Sequence, residues 1–182
     1  MLIARTEHLM TDLSITITPE TEADALAIDR LHERTFGPGR FARTAFRIRE
    51  AITHRRDLSF TARIGTLLVG SVRLSTIRIG ETPALLLGPL TVEPPFRGRG
   101  IGHALIERAL QEAREKGHGL VVLVGDEPYY GRFGFKRVPK GAVTMPGPVD
   151  PQRLLIAELA PGAATVRGAI APDWDTPEGR SA

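Results

Sequence analysis

The stretch "ALLLGPLTVEPPFRGRGIGHALIERAL", Ala84 to Leu110, decides how the rest of the chain is read. Its first nine residues, Ala84 to Val92, are short and almost wholly apolar, and proline-rich sequence follows them, which marks a buried strand. Gly88 and Pro89 interrupt it. A proline in mid-strand removes a ladder donor, so this strand should be bulged or splayed from a neighbour at that point. Further on the period becomes helical, with Ile106, Ala109, Leu110 and Ala113 at i, i+3, i+4 and i+7. Arg114, Lys116 and Gly117 supply the stop signals near the end. "LVVLVGD", Leu120 to Asp126, then reads as a central strand. Strand, helix and strand in that order predict a parallel pair joined by a right-handed crossover.

Between the first strand and the helix lies "RGRGIG", residues 97–102, and four readings compete for it. A dinucleotide fingerprint GxGxxG fails in both frames: from Gly98 the last position is His103, and from Gly100 it is Leu105. A triphosphate P-loop needs Lys followed by Ser or Thr after its last glycine, and neither is there. An RG-type RNA-binding segment is repeated and disordered, whereas this one is single and set between a strand and a periodic helix. The fourth reading is a phosphate cradle of another kind. Gly98, Gly100 and Gly102 let backbone N–H groups approach a ligand closely, and the helix N-terminus adds unpaired donors and partial positive charge. A plain connector needs one glycine and no arginines.

Outward from this unit, "LSITITP", Leu13 to Pro19, alternates at period 2 and predicts a half-buried strand. Thr21 and Asp24 start a helix with Ala25, Ile28 and Leu31 on one face, and "FGPGR" ends it. A second helix is read over "FARTAFRIREAITH". Two or three strands follow in "LSFTARIGTLLVGSVRLSTIRIG", with Gly65 and Gly70 as turn or bulge positions. "EPYYGRFGF" reads as a short helix ending at Gly134, and "RLLIAELA", Arg153 to Ala160, as a late strand.

The 182 residues suit one domain, 1–182, with residues 1–12 and about 168–182 read as flexible ends. Hydrophobic residues make up 42% and charged residues 25%, the composition of a soluble globular chain. The apolar runs fall far below the roughly 20 residues that span a bilayer, and the first twelve residues carry scattered charges unlike a secretory signal. The expectation is a cytoplasmic protein that does not engage membranes. With no cysteine and five scattered histidines, no metal site is expected. The net charge is +3, weighted locally. Arg40, Arg43, Arg47, Arg49, Arg55, Arg56 and Arg63 face only Glu50 and Asp57 in that span, either as a solvated helix face or as a surface that attracts anions.

Together these pieces resemble the GNAT superfamily of N-acetyltransferases, in particular a bacterial group whose acceptors are mostly unassigned. "RGRGIG" matches its RxxGxG signature through Arg97, Gly100 and Gly102; "LTVEPPF" is similar to its bulged strand and "YYGRFGF" to its later tyrosine and Gly-Phe motif. The resemblance implies an α/β (α+β) fold with a central mixed, mostly antiparallel sheet, one parallel pair splayed at a β-bulge, and flanking helices. It also implies acetyl-coenzyme A as cosubstrate, without metal. In that family pattern the pyrophosphate lies on the amides of Arg97, Gly98, Arg99, Gly100, Ile101, Gly102 and His103, and the pantetheine arm runs along Leu90, Thr91 and Val92, whose amides would stabilise an oxyanion.

The implied reaction is direct attack of a primary amine, on a small molecule or peptide, with Tyr130 as general acid for the departing sulfur. Tyr129 is the rival for that role if the register shifts by one. Many family members carry a Glu on the bulged strand, where this chain reads "LLLGPL". Asp126, Glu93 or water are the candidates for the base, and Asp126 is the one taken forward. The acceptor is expected beneath "TFGPGRFARTAF", where Arg40 and Arg43 suggest a carboxylate or phosphate on it. Homodimers are common in similar proteins. The runner-up function is a coenzyme A-binding sensor or interaction module with the same fold; a nucleic-acid binder is the third reading, and no nucleic-acid partner is expected.

Overall fold

The structure is a computed structural model and describes residues 14–37, 48 and 52–173. Strand β1 (Ile15–Pro19) leads into helix α1 (Ala25–Phe36), and β2 (Phe60–Ile64), β3 (Leu67–Ile79) and β4 (Thr82–Val92) follow. Then come α2 (Ile101–Glu115), β5 (Leu120–Val124), the single-turn helix α3 (Glu127–Tyr130), β6 (Lys136–Arg137), β7 (Val143–Thr144), β8 (Leu154–Glu158) and β9 (Gly168–Pro172). The helix read over "FARTAFRIREAITH", with Arg40 and Arg43 before and inside it, falls almost entirely outside the described residues.

Strands β1 to β4 form an antiparallel meander, β4 and β5 pair in parallel, and β8 and β6 complete the order β1-β2-β3-β4-β5-β8-β6. A second, short parallel pairing joins β7 to β9, and β9 pairs with β3. The mostly antiparallel sheet with a parallel pair at its centre is the expected architecture. Gly65, at φ 57°, makes the turn between β2 and β3, where a Cβ would be strained. The neighbouring register shift places Ala62 opposite Gly70 and Arg63 opposite Leu68, so Val69 is the extra residue of a bulge beside Gly70.

Both faces of the sheet are covered, which explains why β5 reads as a continuous apolar run. Alternate residues divide between two cores: Leu85, Leu87, Val121 and Leu123 pack under α2, while Ala84, Leu86, Leu120 and Val122 pack on the opposite face. From α2 come Leu105, Ile106, Ala109, Leu110 and Ala113, with Ile101 added at its start. The helix closes as its sequence predicts. The amide of His118 bonds Ala113 O at 2.9 Å and that of Gly117 bonds Arg114 O at 3.0 Å, with Gly117 at φ 79° in a Schellman arrangement. Lys116 then pairs with Asp57 at 2.6 Å and ties the helix end to the segment before β2.

Thr21 and Asp24 start the first helical segment as read: Thr21 donates to Asp24 Oδ2 at 2.8 Å through both its amide and its hydroxyl. The tail differs from its expectation at its beginning. Residues 168–172, read as flexible, form β9, because Ile77 to Ile79 extend past the end of β2 and offer a free edge to pair, and Ile170 fills the core beneath it. No helix among the described residues is long and apolar enough to cross a membrane.

Candidate functional site

The site begins at the break in β4. Across the β3–β4 ladder Val72 faces Leu90 and Leu74 faces Leu87, so Gly88 and Pro89 oppose Arg73 alone. This is the bulge that the proline predicts. On its other side β4 pairs with β5 only at Leu85↔Val121 and Leu86↔Val122. Beyond them Leu90, Thr91 and Val92 keep their partners Val72, Ser71 and Gly70 but have no strand on the β5 side. The result is a gap lined on one edge by backbone that no ladder uses.

The glycine and arginine stretch closes one end of this gap. Gly98 and Gly100 have φ of 75° and 80°, and an added Cβ would meet nothing within 4 Å at either position. The left-handed backbone therefore requires glycine, and the space beside it is open. Gly100 caps α2. The first helical bond runs from Ala104 N to Gly100 O at 3.0 Å, so the amides of Ile101, Gly102 and His103 have no acceptor within the helix. Arg97 folds back to donate from Nε to Val92 O at 3.2 Å, and Arg99 lies 5.6 Å over the Phe96 ring. His103 contributes its amide to this face, while its ring packs 4.7 Å from Phe133 and pairs with Glu107 at 3.0 Å.

From the other side the single turn of α3 brings in both tyrosines. Its start is set by Asp126, whose carbonyl accepts from the amides of Tyr129 and Tyr130 at 3.0 and 3.1 Å, and Gly134 at φ 88° ends the following turn. Tyr130 stacks edge-on against Tyr129 at 4.9 Å and Phe135 at 6.0 Å. Its ring lies on the backbone where β5 ends: a Cβ on Gly125 would fall 2.3 Å from a Tyr130 ring carbon. Tyr129 reaches further across. A Cβ on Gly102 would come within 2.7 Å of the Tyr129 hydroxyl, 3.7 Å of a Val92 methyl and 3.9 Å of a Leu90 methyl. Burial raises the Tyr129 hydroxyl pKa above its ordinary value, an effect partly offset by the Arg132 guanidinium 5.3 Å over the ring.

The structure thus brings together Leu90, Thr91, Val92, the 97–103 backbone and the tyrosine pair. Asp126 does not share that environment. Its side chain is 72% exposed and accepts from Arg153 Nε at 3.0 Å. Glu93, the other acidic candidate, is held by Arg34. Sequence reading missed Gly125 and the Gly102–Tyr129 contact, because both depend on which ring falls on which backbone. It also missed a network around the buried Glu20, which accepts from Arg73 at 2.9 and 2.7 Å and contacts His54 at 2.8 Å. No cluster of three or more potential metal ligands occurs among the described residues.

A gap beside a broken strand, a glycine-rich turn with free helix amides and a tyrosine at the gap's far edge are one constellation, and the sequence model of the Acetyltransferase (GNAT) family spans it, matching residues 25–135. The chain belongs to the GNAT family of acetyltransferases. This GNAT enzyme is 31% identical over 122 residues to the uncharacterized N-acetyltransferase YhbS of Escherichia coli strain K12, a match covering 66% of the chain and 72% of that protein. The Escherichia coli YhbS crystal structure in complex with CoA superposes with a TM-score of 0.74 at 26% identity, covering 89% of this chain and 91% of that one. A GNAT acetyltransferase from Brucella melitensis in complex with acetyl-CoA gives 0.65 at 27% identity, covering 88% and 97%. The GNAT enzyme is accordingly an acetyltransferase with the mixed sheet of that fold.

Proposed function

We propose that the protein transfers the acetyl group of acetyl-CoA to a primary amine of a small molecule or peptide by direct attack. The observation that carries this is the convergence of three elements: the edge at Leu90 to Val92 that has no strand partner on the β5 side, the free amides at the start of α2, and the tyrosine pair of α3, with the Tyr129 hydroxyl against Gly102 and the Tyr130 ring on Gly125 at the end of β5. The pyrophosphate takes the amides from Gly98 to His103, where the helix end supplies donors and partial positive charge, the Arg97 amide being engaged by Pro94 O at 3.3 Å. The pantetheine arm, itself amide-bearing, pairs with the free edge of β4, which places the thioester carbonyl among amides that favour its oxyanion. CoA and acetyl-CoA in the two similar crystal structures support this choice of cosubstrate.

The amine nitrogen bonds to the carbonyl carbon and sheds one N–H proton, the carbon–sulfur bond breaks, and Tyr130 gives its proton to the sulfur. Asp126 is a poor proton acceptor in this scheme, since its carboxylate is exposed and engaged by Arg153. The assay is release of free thiol from acetyl-CoA over a panel of amines, amino acids, aminoglycosides and peptides. Tyr130→Phe should lower turnover by about 100-fold or more while CoA affinity changes less than twofold, in line with the worth of a positioned general acid. Unchanged turnover would remove Tyr130 from the mechanism. Slow thiol release by the parent protein with every acceptor, alongside tight CoA binding, would favour the sensor reading instead.

A further inference from the structure

The side chains at the open end of β4 divide between the two faces of the sheet. Leu90 and Val92 turn toward α2 and Gly102, the side assigned above to the cofactor. Thr91 between them must point to the opposite face. That face is covered by α1, which packs on β3 and β4. An acceptor that attacks a thioester held on the α2 side has this other face as its approach.

What lies there is polar and buried. Thr91 is 1% exposed, and its cross-strand neighbour Ser71 is fully buried. Over Ser71 sits His32 of α1, itself 7% exposed, with Nε2 3.4 Å from the Ser71 hydroxyl oxygen. The Thr91 hydroxyl has no hydrogen-bond partner, and neither does the buried hydroxyl of Thr35, three residues beyond His32. An unpaired buried hydroxyl costs about 1–3 kcal/mol, and most such groups in native proteins are paired. Two of them, one across the ladder from Ser71 and one a turn along α1 from His32, mark a place that a further polar molecule completes. Other charged groups on the surrounding elements engage one another: Arg73 of β3 with Glu20, Glu20 with His54, and Glu93 at the end of β4 with Arg34.

We infer that His32, acting through Ser71 and Thr91, accepts the proton that the acceptor amine releases. This rests on the acetyl-CoA reading above. As nitrogen bonds to the carbonyl carbon, its N–H proton passes to a water held by the otherwise unpaired Thr91 hydroxyl, from it to the Ser71 hydroxyl, and on to His32 Nε2. Tyr130 protonates the departing sulfur, so His32 ends one proton richer and Tyr130 one proton poorer, and solvent restores both. In this chain the hydroxyl and imidazole cluster under α1 would do the work that a strand carboxylate does where one is present.

The test combines turnover and direct titration. His32→Gln, Ser71→Ala and Thr91→Val are compared with the parent in thiol release with the best acceptor of the amine panel, in calorimetric CoA binding, and in histidine-ring NMR across pH 5 to 9. The expected result is a fall in kcat of about 100-fold or more for His32→Gln, the range of a general base, with CoA affinity unchanged within twofold and the acidic limb of the rate profile abolished. The His32 resonance, identified by its loss in His32→Gln, should titrate in the parent, move on addition of acetyl-CoA, and shift its midpoint in Thr91→Val. If His32→Gln keeps parental turnover and pH profile, or the ring does not titrate and ignores both acetyl-CoA and Thr91→Val, the assignment is wrong and His32 is only a core residue. Should His32→Gln unfold, Thr91→Val and the parent NMR titration decide. Failure of the parent to bind CoA would instead overturn the cofactor reading itself.

Discussion

Replacing Gly100 by alanine separates the cradle's conformational cost from its binding role. Gly100 sits at φ 80° and ψ 0° as the cap of α2, and nothing lies within 4 Å of where its Cβ would be. The free protein therefore meets no clash, and the stability penalty is that of a left-handed L-residue, about 1–2 kcal/mol. On the proposed binding mode the new methyl would stand where the pyrophosphate approaches the amides. Losing one hydrogen bond to a charged group costs about 1.5–3 kcal/mol, and 2 kcal/mol corresponds to a Kd about 30-fold higher. With CoA at about 100 times the parental Kd, the ligand stabilises the parent by about 2.7 kcal/mol but the variant by only ~0.9. For a chain of this size the lost increment is worth about 4–7 °C in Tm. Calorimetric titration and thermal unfolding with and without CoA measure both parts. A variant that loses the expected stability but keeps the parental Kd within twofold would show that Gly100 serves only the entry into α2, and would refute the cradle.

Two further outcomes follow from particular contacts. Gly102→Ala places a methyl 2.7 Å from the Tyr129 hydroxyl and should cost about 1–3 kcal/mol of stability, as overpacking does, most of which Gly102→Ala/Tyr129→Phe recovers. Strictly additive effects in thermal unfolding would show that the two do not compete for the same space. Burial alone would raise the pKa of Glu20, but hydrogen bonds from His54 and Arg73 and their charges overcome it and hold the carboxyl below its ordinary value. A carboxyl depressed in the folded state gives stability that is complete above its unfolded pKa of about 4.3 and is lost as pH falls through the lower folded value. Glu20→Gln leaves the half-buried Arg73 without its counter-charge, so it should destabilise by about 1–3 kcal/mol at neutral pH, a deficit that shrinks below about pH 4. A deficit independent of pH in urea unfolding would contradict the ionised pair.

Much of the fold could be read from local signals, for stated reasons. The helix of α2 is legible because its apolar residues repeat at helical spacing and Gly117 ends it in a left-handed turn. Pro89 announces the bulge because a proline cannot donate to a ladder, whatever its surroundings. β9 was not legible. Its five residues look like any exposed Gly- and Pro-containing tail until Ile77 to Ile79 offer them an edge. The short β6 and β7 escaped for the same reason, having two residues each and depending on partners distant in the chain.

By itself the sequence determined the backbone half of the site: where the chain must turn left-handed, where a helix must begin with free amides, and where a strand must break. These are properties of glycine, proline and periodicity, and they act within a few residues. Only the tertiary structure decided which side chains face that backbone. Folding sets the Tyr129 hydroxyl against Gly102 and the Tyr130 ring on Gly125, sends Asp126 to a surface ion pair, and lays His32 over Ser71, the cross-strand partner of Thr91. Those contacts join residues from separate strands and helices, and sequence spacing carries no information about distances that sheet order and helix packing create.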